Sequence, residues 1–283
     1  MNYVVSTPTP KPKTQSLQGT NTILLGPTKS GKTTSLRTVL DVPDIKKIFA
    51  IFTEPRFDVL SRDVLDRIHW RYIPPGQADW AALRNAALQV NTMSNDALQK
   101  IQGSGRDKMN QFLDILTQCN DFVDQNGERW GDVASWGTDR LLWFDGLTGL
   151  NKMARQLAVG MKPIMSQPDW GVAMKTIQDW VEIMTTQTRC HFVLISHIER
   201  ELDEIRGGSR NMVSTLGRKL APLIPTNFSD VILSVKEGAN FYWDTADVST
   251  DVGSSNLPLA SKQPASFVPL FEAWKKKGGV FEP

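Results

Sequence analysis

The sequence predicts an α/β protein with a mostly parallel central sheet flanked by helices, and three observations carry that expectation. Short apolar runs that suit buried strands recur at Asn21–Leu25, Ile48–Phe52, Leu141–Phe144 and His191–Ser196. Stretches of helical spacing separate them, the alternation expected of parallel strands joined by crossover helices. The first run stops at a glycine-containing segment, Gly26–Thr33, which itself opens the next helix.

The elements follow in order. Residues 1–20 are rich in Pro, Thr, Ser and Lys and read as a flexible tail. Asn21–Leu25 is the first strand, and Gly31–Leu40 reads as a helix ending before Pro43. Ile48–Phe52 is the second strand. Ile68–Ile73 alternates, ends at Pro74–Pro75 and reads as the third. Residues 78–126 look helical. Trp80, Leu83, Ala87 and Val90 recur at helical spacing, as do Met109, Phe112, Leu113, Leu116 and Phe122, with Gly103-Ser104-Gly105 between. The span 78–136 therefore reads as a helical insertion. Leu141–Phe144 follows as a strand ending at Asp145, then helices near 150–159 and 169–187. In the second of these Trp170, Met174, Ile177, Trp180, Val181 and Met184 suit core packing. Trp130 and Trp136 stand in a Gly-rich stretch that also suits surface contact. His191–Ser196 is the next strand, and Val231–Val235, a Glu237-Gly238 turn and Phe241–Trp243 read as a terminal β-hairpin. The main domain is thus expected over 21–250. Residues 251–283 read as a C-terminal tail, with Lys275-Lys276-Lys277 as a solvated end or a phosphate contact.

Bulk properties exclude several classes. The chain has 283 residues, long enough to bury a full core. Hydrophobic content of 40% and charged content of 22% are those of a soluble globular protein. No apolar run reaches bilayer length, and the N-terminus lacks a secretory pattern, so no membrane is expected. The two cysteines, Cys119 and Cys190, form no CxxC pair, which argues against a zinc site or disulfide framework and for a cytoplasmic setting. A net charge of +2 is too small to indicate nucleic-acid binding by itself.

Gly26-Pro27-Thr28-Lys29-Ser30-Gly31-Lys32-Thr33 matches GxxxxGK followed by Ser or Thr. The glycines let backbone N–H groups curl inward toward phosphate oxygens, and the helix N-terminus adds its dipole. Lys32 reaches the β- and γ-phosphates, and the Thr33 hydroxyl ligates Mg²⁺. Thr34 continues this nucleotide-binding segment. The expected cofactors are ATP and Mg²⁺.

Three further polar residues end apolar strands. Asp145 closes Arg140-Leu-Leu-Trp-Phe-Asp145 as in a Walker B element, where an acid holds Mg²⁺ directly or through water. The alternative is an Asp capping the following turn. Glu54 closes the second strand and reads either as a group that polarises water or as a solvated loop acid. His197 follows His191–Ser196 and reads either as a γ-phosphate sensor or as a packing residue.

Taken together, these residues resemble the RecA-like P-loop ATPases, and in particular phage nucleotide-binding proteins of the RecA-like single-strand annealing group. The resemblance rests on GPTKSGKT, FTE after the next strand, LLWFDGLTGL, LISHIER before a Gly-rich stretch, and LGRKLAPLIPTNFSDVILSV leading to FYWDT. It spans about 21–250. It implies a RecA-like P-loop NTPase core, with Lys32 and Thr33 on phosphate and Mg²⁺ and Asp145 on the metal. Glu54 would be the catalytic glutamate and His197 the sensor. It also implies a mobile DNA-binding loop at 199–215, with Arg206 and Arg210 facing phosphates around Gly207-Gly208. Arg218 and Lys219 would act across a subunit boundary on a neighbour's γ-phosphate. Glu199, Glu201, Asp203 and Glu204 in that loop run against contact with a phosphate backbone.

The expected function is a Mg²⁺-dependent ATPase acting on single-stranded DNA in phage recombination or annealing. It would work as a homo-oligomer in the host cytoplasm, with a single-strand binding protein as a further partner. A helicase loader, a DNA-packaging motor and a small-molecule kinase are the alternatives.

Overall fold

The computed structural model describes residues 17–55, 57–76, 80–100, 109–160, 164–202 and 209–283. Its strands are β1 (Asn21–Leu25), β2 (Lys47–Phe52), β3 (His69–Tyr72), β4 (Phe122–Val123), β5 (Arg129–Gly131), β6 (Arg140–Asp145), β7 (His191–Ser196), β8 (Ile198–Leu202), β9 (Ser209–Val213), β10 (Asp230–Glu237), β11 (Asn240–Asp244), β12 (Gly253–Ser254) and β13 (Gln263–Pro264). The helices are α1 (Arg62–Leu65), α2 (Trp80–Thr92), α3 (Asn95–Lys100), α4 (Gln111–Asn120), α5 (Leu147–Val159), α6 (Gln167–Thr186) and α7 (Val268–Lys276).

The central sheet runs β13-β11-β10-β1-β7-β6-β2-β3, with β12 added beside β10. From β10 to β3 every pair is parallel; the β11, β12 and β13 edge is antiparallel. The protein is therefore α/β with a mostly parallel central sheet between helices. Its inner strands are apolar on both faces, as a doubly covered sheet requires. Successive side chains point to opposite faces. Leu142 and Phe144 join a core with α4, α5 and α6, whereas Leu141 and Trp143 join a second core with Leu36, Val39 and α7. The β10–β11 hairpin forms as expected around Glu237–Asn240, with Gly238 at φ 59°.

Several expectations are corrected. The helix after the glycine-rich loop is a 3-10 helix over Thr33–Asp41. Ser35 Oγ donates to Lys32 O at 2.6 Å and Thr38 Oγ1 to Ser35 O at 2.8 Å, and both bonds reach back three residues, which suits tighter winding. The 78–136 span is helical only in part, because β4 and β5 pair as a small hairpin. On α2 the periodic Trp80, Leu83, Ala87 and Val90 are exposed, Trp80 to 87%. On α4 the buried face is Phe112 and Ile115, and Leu113 and Leu116 point out. Trp170 is 38% exposed, whereas Trp180 and Trp136 are buried.

Neither described end behaves as a tail. Gly19 N donates to Arg189 O at 2.9 Å, and Thr20 is buried. Residues 1–16 lie outside the described residues. At the other end α7 buries Leu270, Phe271 and Trp274, three apolar residues on one helical face that a polar, Pro/Ser-rich surround obscured. Lys275 pairs with Asp44 at 2.6 Å, and Lys277 donates to Ser255 O, so this basic run is tied to the domain. Thr138 Oγ1 donates to Val280 O at 2.7 Å and accepts from Glu282 N at 2.8 Å.

Both ends meet at His191. Its Nδ1 accepts from Thr20 N at 2.9 Å, which puts the neutral ring's proton on Nε2. Phe271 and Trp274 pack edge-on, each with ring centroids 4.7 Å from it. Burial lowers its pKa from 6.5 to about 3, against a small upward pull from the Thr138 backbone. The unfolded chain binds a proton in that pH window and the folded chain does not, so stability falls as pH drops from 6.5 toward 3. In His191→Asn an amide oxygen can still accept from Thr20 N, but nothing titrates. Denaturant unfolding at pH 7 and pH 4.5 should show the natural chain losing roughly 2 kcal/mol more than the variant. Equal losses would refute the assignment.

Candidate functional site

The glycine-rich loop leaves β1 at the C-terminal edge of the parallel strands, where an open α/β sheet forms its crevice. Gly31 has φ 90°, which favours glycine, and a Cβ on Gly26 would lie 2.5 Å from Ser234 O of β10. Ser234 Oγ donates to Ser30 O at 2.7 Å and braces the loop from that side. Lys32 is 5% exposed, and its Nζ donates to Gly26 O at 2.8 Å and Pro27 O at 2.7 Å. The ammonium thus lies folded across the loop's own carbonyls.

β6 ends at Asp145, and Thr33 Oγ1 donates to Asp145 Oδ2 at 2.6 Å. β2 leads to Glu54, and β7 leads to His197. His197 Nε2 stands 3.6 Å from Glu54 Oε2. A cleft of about 520 Å³ has Thr28–Thr34, Glu54, Asp145 and His197 in its lining. All four strand-end and loop expectations therefore meet in one place.

The charges in the cleft depend on one another. Burial lowers the Lys32 pKa to about 8, against upward pulls from Asp145 and Glu54. Burial raises the Asp145 carboxyl, and Glu54 adds to this. Donation from Thr33 and the charge on Lys32 oppose it. Glu54 is held below the usual carboxylate range, chiefly by His197, against the cost of burial. Thr33 and Asp145 offer oxygen donors alone, the kind a hard divalent cation takes, and two such protein ligands suit Mg²⁺ that also binds phosphate and water. The loop's amides and Lys32 can neutralise a polyphosphate. Glu54, ionised and partly exposed, can accept a proton from water.

Thr53 gives no sequence signal of its own, being a lone Thr before an acid, yet it ties the cleft together. It is fully buried. Its Oγ1 donates to Gly146 O and accepts from Gly146 N, both at 2.8 Å, while its own N donates to Asp145 O at 2.6 Å. It thereby fixes the end of β2 to the end of β6. Gly149 makes room for it, since a Cβ there would lie 2.2 Å from Thr53 Oγ1.

Of the expected DNA and trans-acting residues, Arg210, Arg218 and Lys219 are described, and none of the three lines this cleft. The described parts of 199–215 are not a loose loop, because β8 and β9 pair antiparallel. Arg206 and Gly207-Gly208 lie outside the described residues. Arg210 pairs with Asp251. Arg218 pairs with Glu201 at 3.0 Å, and Lys219 is exposed. The two ion pairs offset two of the cations that were to face phosphates.

Among the described residues one group has metal-ligand spacing, His69, Asp124 and Glu128, in the β3 and β4–β5 region. Asp124 accepts from His69 Nδ1 at 2.8 Å, Asn126 N at 2.8 Å, Glu128 N at 3.0 Å and Trp130 Nε1 at 3.2 Å. Burial alone would raise its carboxyl, but these donors together hold it below its ordinary value. With its oxygens taken up this way, the group reads as a structural knot.

No protein-family model matches the chain, and no curated protein matches it. What fold and site define is an α/β protein with a glycine-rich strand-to-helix loop, a lysine and threonine at its end, and two acids on neighbouring strands facing it. No helix among the described residues is long and apolar enough to cross a membrane.

Thr53→Val keeps the shape but leaves the buried Gly146 N unpaired and Gly146 O with its bond from Leu150 N alone. Denaturant unfolding should show a loss of about 1–3 kcal/mol, with Thr53→Ser close to the natural chain. A Val variant of unchanged stability would show that Thr53 does not hold the two strand ends.

Proposed function

We propose that the chain is a Mg²⁺-dependent ATPase with a RecA-like P-loop core. The observation that carries this reading is the 2.6 Å bond between Thr33 Oγ1 and Asp145 Oδ2. It brings the last residue of the loop and the strand-end acid together at one oxygen-lined point, beside a buried lysine. In a chance match to the loop pattern nothing would place an acid of β6 there.

In the proposed reaction, water attacks the γ-phosphorus in line as the bond to the β-phosphate oxygen breaks. Backbone N–H groups of Gly26–Thr33 and the Lys32 ammonium hold the phosphates. Thr33 and Asp145 hold Mg²⁺, which when bound offsets charge on the β- and γ-oxygens. Glu54 orients the water and takes its proton. Its lowered pKa keeps it ionised at neutral pH, and His197 sets its position. Closeness to the γ-phosphate lets His197 sense its loss.

The biological role is proposed on resemblance: action on single-stranded DNA in phage recombination or annealing, as a homo-oligomer in the host cytoplasm, alongside a single-strand binding protein. Contacts of Arg206 and Arg210 with DNA, and of Arg218 and Lys219 with a neighbour's phosphate, rest on that resemblance alone. The ion pairs of Arg210 and Arg218 would have to open first.

Phosphate release from ATP, with and without single-stranded DNA, tests the reading. Lys32→Ala should abolish release. Glu54→Gln should still bind nucleotide but turn over about 10²-fold more slowly or worse. Stimulation by single-stranded DNA would support the role in recombination. A phosphorylated acceptor in place of free phosphate, or full activity in Lys32→Ala, would overturn the ATPase assignment.

A further inference from the structure

We propose that Phe241 seats the base of the nucleotide, so that the site selects a base-bearing nucleotide over a bare phosphate chain. This rests on the reading that Gly26–Thr34 holds the phosphates.

The order of the sheet gives the cleft a direction. β7, β6 and β2 lie on one side of β1 and bring His197, Asp145 and Glu54 to the cleft. The terminal phosphate belongs beside those acids. The rest of a nucleotide threaded over the loop is then directed to the other side of β1, where β10 and β11 lie. On that side Phe241 meets the loop directly. A Cβ on Gly31 would lie 2.7 Å from Phe241 Cδ1 and 2.8 Å from Cγ, so the ring rests against the loop backbone. Phe241 stands two residues from Trp243 on β11 and so shares its face of the sheet. Trp243 belongs to the core beneath that face, with Leu36 and Val39 of the helix that follows the loop.

Phe241 nevertheless keeps 38% of its surface exposed. A ring whose whole task was to cover Gly31 would be expected to bury more. Lys236 Nζ stands 5.8 Å from the ring centroid, adding a cation beside an aromatic surface. An exposed ring bordering a phosphate loop, on the side away from the acids, offers a stacking surface for a planar base. Such stacking is tolerant of base identity, because every base has a π face.

Equilibrium binding to the full chain in Mg²⁺, with ATP and with inorganic triphosphate as the two probes, tests this. Phe241→Ala should weaken ATP about tenfold while leaving triphosphate within about twofold, and Phe241→Tyr should bind ATP as the natural chain does. Unchanged ATP affinity in Phe241→Ala would overturn the proposal. So would equal weakening of both probes, which would make Phe241 a prop for the loop. Triphosphate bound by the natural chain as tightly as ATP would overturn it too, while leaving the phosphate loop standing. If the natural chain binds neither probe, the reading of the loop itself fails.

Discussion

The bond from Thr33 Oγ1 to Asp145 Oδ2 is the contact on which the rest of the site depends. It joins the end of the loop to a strand two places away in the sheet, across β7. Everything near it is arranged around buried charge. Asp145 is nearly desolvated and close to Glu54, and the charge on Lys32 acts on both. Such a cluster is costly, because burial opposes the charged form of each group. Lys32 is satisfied by the loop's own carbonyls, Asp145 by Thr33, and Glu54 by His197. A polyphosphate with a divalent cation would replace these internal partners with stronger ones, because phosphate draws Lys32 away from carbonyls and the cation takes up Asp145.

The outer parts of the fold support that arrangement. Thr53 fixes the two acid-bearing strand ends to each other, and Ser234 braces the loop from the opposite side. The helix after the loop is buttressed by the C-terminal segment: Phe267 N donates to Thr38 Oγ1 at 3.0 Å, and α7 packs beside it over the same core. The His191 knot ties the N-terminal entry and α7 to the start of β7, the strand whose far end carries His197. The loop helix thus owes part of its support to residues far along the chain.

Much of this was legible in the sequence, for physical reasons. Strands buried on both faces are continuous apolar runs, so Asn21–Leu25, Ile48–Phe52, Leu141–Phe144 and His191–Ser196 could be read directly. Their polar end residues then located the cleft. Periodicity was less reliable where a helix is not covered. The apolar spacing of Trp80, Leu83, Ala87 and Val90 marks a helix, but it does not say that anything packs on it. The fold of α7 was hidden because three buried residues sit in a polar, Pro/Ser-rich stretch, and its partners are far away in sequence. Thr53 and Phe241 were hidden for the same reason: their roles come from neighbours brought up by the sheet, Gly146 for one and Gly31 for the other.

The central claim is that Thr33 and Asp145 complete a Mg²⁺–polyphosphate site at the loop. Calorimetric titration of the chain with ATP, with Mg²⁺ and then with the metal chelated, tests it most directly. The account predicts clearly tighter binding with Mg²⁺, and loss of that metal dependence in Asp145→Asn. Binding that ignores Mg²⁺, or a metal dependence that survives in Asp145→Asn, would contradict it.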